Sequence, residues 1–152
     1  MGSLALFVAT SHSAELEQLF LVGPRTIPEQ VRYVATGSAE KFAIVSVRVT
    51  KAANCWESKG TTYCIFKARP TEWLLERKIN EDPRPANNEY SVGFSYSTKS
   101  PGIGTAEGRD LIVFLAPAKT AKELGHFAAT AIVLATPKNS RAVKNAIKDF
   151  LQ

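Results

Sequence analysis

Histidine is nearly absent from this chain: His12 and His126 are the only two in 152 residues. A Ser-His-Asp or Cys-His constellation would therefore rest on His126 alone, which follows Gly125 in a polar connection where a lone histidine is ordinarily a surface residue. Cysteine is equally scarce, with Cys55 and Cys64 the only pair. Two thiols with no neighbouring histidine, and Glu57 the one acidic residue between them, do not complete a tetrahedral zinc site, and their spacing is too wide for a Cys-x-x-Cys redox pair. No apolar run approaches the roughly 20 residues that a membrane-spanning helix requires. Internal repeats, coiled-coil heptads and low-complexity blocks are missing too. No motif selects a carboxylate pair for hydrolysis. Gly102-Ile103-Gly104 with Gly108 precedes a strand-like run, whereas phosphate-binding glycine loops follow a strand and open a helix. These absences lead us to expect no catalytic residues, no metal, no cofactor and no membrane span.

What is present is an ordinary globular composition, 45% hydrophobic, with a formal net charge of +5. The length suits one domain with a real core, and the charge favours acidic partners without marking a dedicated nucleic-acid binder. In Gly108-Arg109-Asp110-Leu111-Ile112-Val113-Phe114-Leu115-Ala116-Pro117, two charged residues after a glycine give way to five large apolar residues in a row, without alternation and rich in β-branched and aromatic types, and Pro117 ends the run. It reads as a strand covered on both faces, the centre of the domain.

Before it, Phe42 to Thr50 alternates, with Ala43, Val45, Val47 and Val49 on one face and Ile44, Ser46, Arg48 and Thr50 on the other, wet towards its end. Thr61 to Arg69 is its return strand, with Phe66 and Ala68 inward and Pro70 closing it. Thr71 to Glu76 reads as one helical turn or a short strand. Arg77 to Glu89 and Thr98 to Gly108 are loops, and Tyr90 to Ser97 between them has a period of two. Phe127 to Thr136 is the last strand. Asn139 or Ser140 caps a closing helix with Ala142, Val143, Ala146, Ile147, Phe150 and Leu151 on one face. Two short helices precede the first strand, one over Glu15 to Val22 and one opened by Thr26 with Glu29 three residues on.

Cys55 and Cys64 flank turn chemistry at Ser58-Lys59-Gly60, so a hairpin brings them within disulfide range; the alternative is two buried free thiols, and the compartment decides. Leu4 to Ala9 followed by Ser11 and Ser13 is similar to the rear half of a secretory signal peptide, though no Lys or Arg precedes it. The other reading of residues 1–14 is a first strand. We expect a signal-like remnant over residues 1–14, a single domain over 15–152, a Cys55–Cys64 disulfide and a secreted or periplasmic location, with a cytoplasmic location as the alternative.

Arg48, Lys67 and Arg69 project from adjacent strands with Lys51 nearby and Trp56 at the hairpin tip, while Trp73 follows the second strand. A basic sheet face with aromatics grips single-stranded nucleic acid in some barrels; an ordinary solvated face, with Trp56 over the disulfide and Trp73 in the core, is the simpler account. Arg48, Lys51, Trp56, Lys67 and Arg69 are the candidate binding residues.

The order strand, hairpin, strand, Trp-Leu-Leu segment, loop, strand, then Gly-Arg-Asp-Leu-Ile-Val-Phe-Leu over Gly108 to Leu115 and a last strand resembles the netrin-type domains. Their best-known members are the tissue inhibitors of metalloproteinases. The resemblance covers Phe42 to Gln152 and implies a five-stranded OB-like Greek-key barrel; with the helices read from the residues, we expect a mainly β, α+β fold with short N-terminal helices and a C-terminal helix. Those inhibitors chelate the target's zinc through an amino-terminal cysteine, and no cysteine precedes Cys55 here, so only the barrel carries over. With the signal-like stretch and the paired cysteines, we expect an exported, non-catalytic binding or inhibitor-type domain that recognises another macromolecule, a protein partner first. The alternative is a cytosolic nucleic-acid-binding barrel using the basic face.

Overall fold

The computed structural model describes residues 26–37, 42–77, 86–97, 108–116 and 127–152. Five strands, β1 (Phe42–Ser58), β2 (Thr61–Arg77), β3 (Tyr90–Ser97), β4 (Asp110–Ala116) and β5 (Phe127–Leu134), accompany two helices, α1 (Ile27–Gly37) and α2 (Pro137–Leu151). The signal-like stretch, the helix expected over Glu15 to Val22, the glycine loop at Gly102 and His126 lie outside the described residues.

The strands form one mixed sheet that closes in a ring in the order β1-β2-β3-β5-β4. β3 and β5 run parallel, and the other neighbours are antiparallel. Alternation along each strand divides the core in two. Val45, Val47, Phe66, Phe94, Leu111 and Val113 fill the ring interior, together with Leu115, Ile132 and smaller residues. Ile44, Ile112, Phe114 and Val133 point the other way and are roofed by α1 and α2 through Val31, Val34, Val143 and Ile147. The central position expected of β4 follows from this arrangement: Leu111 to Leu115 are all at most 3% exposed because one face lines the ring and the other meets the helices.

Both hairpin strands are longer than their sequence pattern suggests. β1 runs on past Thr50 to Ser58, and β2 continues through Pro70 to Arg77. The polar stretch Lys51 to Ser58 lacks alternation because β1 is bulged there, with register shifts between Val49 and Lys51 and between Lys51 and Asn54. Pro70 does not end β2 because it sits at another irregularity. Ser46 pairs with Glu72 and Val47 with Pro70, leaving Thr71 extra. The Thr71 hydroxyl donates to the Ser46 carbonyl at 3.1 Å, and β3 pairs with β2 only as far as Ala68, so the missing proline donor disturbs no second ladder. Lys59 and Gly60, with φ of 51° and 78°, make the two-residue left-handed turn that matches strand twist.

Thr26 caps α1 as expected. Its hydroxyl accepts from the Glu29 amide at 3.3 Å and donates to the Glu29 carboxylate at 3.0 Å. At α2 the cap is Thr136, not Asn139 or Ser140: the Thr136 oxygen accepts from the Asn139 amide at 3.1 Å, with Pro137 in the first turn. Asn139 instead turns inward and donates through Nδ2 to the Leu134 carbonyl at 3.0 Å. Leu151, expected on the buried face, is 65% exposed at the helix end.

One polar contact crosses the roof. β5 bulges opposite Phe114 and Leu115, and Thr130 is the residue left over. Its hydroxyl donates to the Phe114 carbonyl at 3.1 Å and accepts from Gln30 Nε2 of α1 at 3.0 Å. Gln30 is fully buried, and its Oε1 has no hydrogen-bond partner among the described residues. Replacing Thr130 by Val should destabilise by about 1–3 kcal/mol, since it strands both the Gln30 amide and the Phe114 carbonyl. Gln30→Met removes the unsatisfied oxygen along with the amide and should be neutral or stabilising. Urea unfolding of the two variants checks this; a Thr130→Val midpoint equal to the parent's would refute it.

Candidate binding face on the hairpin

The β1–β2 hairpin carries the candidate residues, and its register sets their order. The chain reverses at Lys59-Gly60, which places Trp56 opposite Tyr63, Asn54 opposite Ile65, Lys51 opposite Lys67 and Arg48 opposite Arg69. These four rungs share the face turned away from the ring interior. Cys55 opposite Cys64, and then Phe66 and Ala68, belong to the inward face. Cys55 and Cys64 are joined by a disulfide, with their Cα atoms 4.1 Å apart. Cys64 is fully buried, while Cys55 lies near the edge of β1 and is exposed.

Trp56 does not cover the disulfide. It stands on the other face, 44% exposed, and stacks on Tyr63 with ring centroids 5.9 Å apart and planes 19° from parallel. Trp73, by contrast, packs against the ring interior and meets Tyr90 edge-on at 6.2 Å.

The five candidate residues therefore share one surface but are not electrostatically alike. Arg48 is held by a two-pronged contact to Asp110 of β4, Nε to Oδ1 at 2.9 Å and Nη2 to Oδ2 at 3.0 Å. That hydrogen bonding, with the carboxylate charge behind it, pushes the guanidinium pKa upwards and largely neutralises Arg48 as an anion-seeking charge. Arg69 donates through Nε to the Asn87 carbonyl at 3.2 Å; this contact fixes its direction without neutralising it. The carbonyl comes from the short turn Ala86–Asn88, where Asn87 and Asn88 take φ of 62° and 54°. Lys51 and Lys67 are both exposed and have no ion pair among the described residues.

Like charges directly across a strand pair destabilise it. Here two successive rungs, Arg48/Arg69 and Lys51/Lys67, are cationic on both sides, and among the described residues Asp110 is the one carboxylate in an ion pair with them. One rung further, Ser46/Glu72, the Glu72 carboxylate is taken by Lys144 of α2 at 3.5 Å. Tyr63 and Asp110 escaped the sequence reading. Counting back from a two-residue turn would have found Tyr63 opposite Trp56, but no local signal marks Asp110 as the partner of Arg48, sixty-two residues away.

Among the described residues, no group of three or more His, Cys, Asp or Glu side chains is arranged to hold a metal ion, and no helix is long and apolar enough to cross a membrane. No protein-family model and no curated protein matches the chain.

Proposed function

We propose that this chain is an exported, non-catalytic binding domain, an OB-like Greek-key barrel that recognises another macromolecule, a protein, through the outer face of its β1–β2 hairpin. The observation that carries the reading is the Lys51/Lys67 rung, which has no ion pair among the described residues, on the same face as the stacked Trp56–Tyr63 pair. A surface that opposes like charges spends stability, and an acidic partner returns it. An exposed aromatic next to such charges is the usual energetic anchor of a protein interface. The Cys55–Cys64 disulfide supports a secreted or periplasmic setting, because bridges of this kind persist in oxidising compartments. The strand order with a parallel β3/β5 pair is in keeping with the OB-like barrel that the resemblance implies.

The test places a photo-crosslinking amino acid at position 56 in living cells. Protein adducts that disappear when Lys51 and Lys67 are both changed to Glu are the expected result. Adducts that persist unchanged in the charge-reversed background, or none at all, would refute the reading. The runner-up, a nucleic-acid binder of the cytosol, is favoured by the same cationic rungs. It requires oligonucleotide affinity that falls steeply as salt rises.

A further inference from the structure

Building on the reading that the hairpin face binds a protein, we infer that its ligand is an extended acidic segment with carboxylates on alternate residues, followed by apolar residues that end at the Trp56–Tyr63 pair. The spacing of the face carries this. On β2 the outward side chains are Arg69, Lys67, Ile65 and Tyr63, each two residues from the next. They therefore recur about every 6.6 Å, and an extended peptide laid along β2 presents its own alternate side chains with that same period. Two carboxylates two residues apart meet Arg69 and Lys67 together, with Lys51 completing the second contact from β1. The next alternate residue meets Ile65, which is half-buried, and the one after meets the stacked rings.

The face is built to keep that geometry. Arg69 is aimed by its bond to the Asn87 carbonyl, the disulfide locks the rung beneath the aromatic pair, and among the described residues three nearby carboxylates have partners other than Lys51, Lys67 and Arg69. Asp110 holds Arg48, Glu72 holds Lys144, and Glu89 accepts from the Thr50 hydroxyl at 2.7 Å. Glu57 opposes Thr62 on the other face. A single strand of nucleic acid fits less well, because its bases seek separate aromatic platforms spread along the charged track. Here the two outward rings stack on each other at one end.

A seven-residue fluorescent peptide tests the inference, with glutamate at positions 1 and 3, leucine at 5, phenylalanine at 7 and serine between them. An isomer with its glutamates adjacent and heptathymidylate are the comparison probes. The peptide should bind the disulfide-intact protein, and the Lys51→Glu/Lys67→Glu variant should weaken it about tenfold or more. A peptide with lysines at 1 and 3 should recover binding to that variant. Trp56→Ala should lower affinity without changing its salt dependence, because the ring contact is uncharged. All these side chains are exposed, and unchanged circular dichroism confirms that the variants fold.

Equal binding of the two peptide isomers would overturn the inference, since it would reduce the face to a diffuse positive field. Tighter binding of heptathymidylate would overturn it in favour of nucleic acid. If neither peptide binds while the position-56 adducts still form, the ordered acidic segment is wrong and the binding face stands. Loss of the adducts as well removes both.

Discussion

Phe114→Ala should cost about 3–5 kcal/mol of folding stability, the range for truncating a fully buried aromatic. Phe114 is 0% exposed and lies in the layer between the sheet and the two helices. Its rung neighbours are Ile44 on β1 and Ala131 on β5. Ala131 is too small to move into the vacated volume, and Ile44 is held by its own packing under the helices. The hole therefore stays largely open, which puts the cost towards the upper part of the range. Total stabilities of such domains are about 5–15 kcal/mol, so the variant should be marginal at 37 °C. Leu151→Ala is the contrast: at 65% exposure it should stay within about 0.5 kcal/mol of the parent. Urea unfolding followed by tryptophan fluorescence reads both. A Phe114→Ala loss below 1 kcal/mol would mean that the helices do not sit on β4 as described.

The sequence made β4 legible for the same reason that this substitution is costly. An apolar run with no alternation has to be covered twice, and the ring interior and the helix roof supply the two covers. β1 was legible only over its first half. There Ala43, Val45, Val47 and Val49 face the interior while the opposite face passes from Ile44 under the helices to exposed Arg48. Beyond Thr50 the strand continues through bulges, and a bulge moves side chains out of the two-residue period on which the reading depends. Pro70 misleads for a related reason: proline stops a strand where a ladder needs its donor, and at the Thr71 irregularity none does.

The cap of α2 shows a different limit. Thr136, Asn139 and Ser140 are all residue types that cap helices. Pro137, favoured in the first turn, is the detail that selects Thr136 and frees Asn139 for the Leu134 carbonyl. The candidate face was half legible. Arg48, Lys67 and Arg69 could be named from strand parity and Lys51 and Trp56 from their place near the hairpin turn, but the pairing of Arg48 with Asp110 could not, because that contact exists only once β4 closes against β1.

Reducing the Cys55–Cys64 bridge should lower stability by about 2–3 kcal/mol, the chain-entropy value for a closed loop of about ten residues. The bond joins positions nine residues apart across one rung. The effect should be uneven. β1 pairs with β4 only as far as Arg48, with Gly108 and Arg109 reaching Val49, so from Thr50 onwards its neighbour among the described residues is β2 alone. β2 over Thr61 to Ala68 is paired on its other side by β3. The bridge therefore ties a singly paired segment to a doubly paired one, and reduction should raise amide exchange most over Asn54 to Ser58. Fully buried Cys64 and its neighbours in the ring interior should keep most of their protection. Because Trp56 follows Cys55 directly, the freed segment carries the ring away from Tyr63, so reduction should also weaken capture of the acidic peptide even where the barrel remains folded. The measurement is hydrogen exchange with and without reductant, alongside urea unfolding and a thiol count. Two titratable thiols with an unchanged midpoint and unchanged exchange at Asn54 to Ser58 would show that the β1–β2 register holds the hairpin unaided. Preorganisation of the Trp56–Tyr63 pair would then have to be sought in the left-handed turn at Lys59-Gly60.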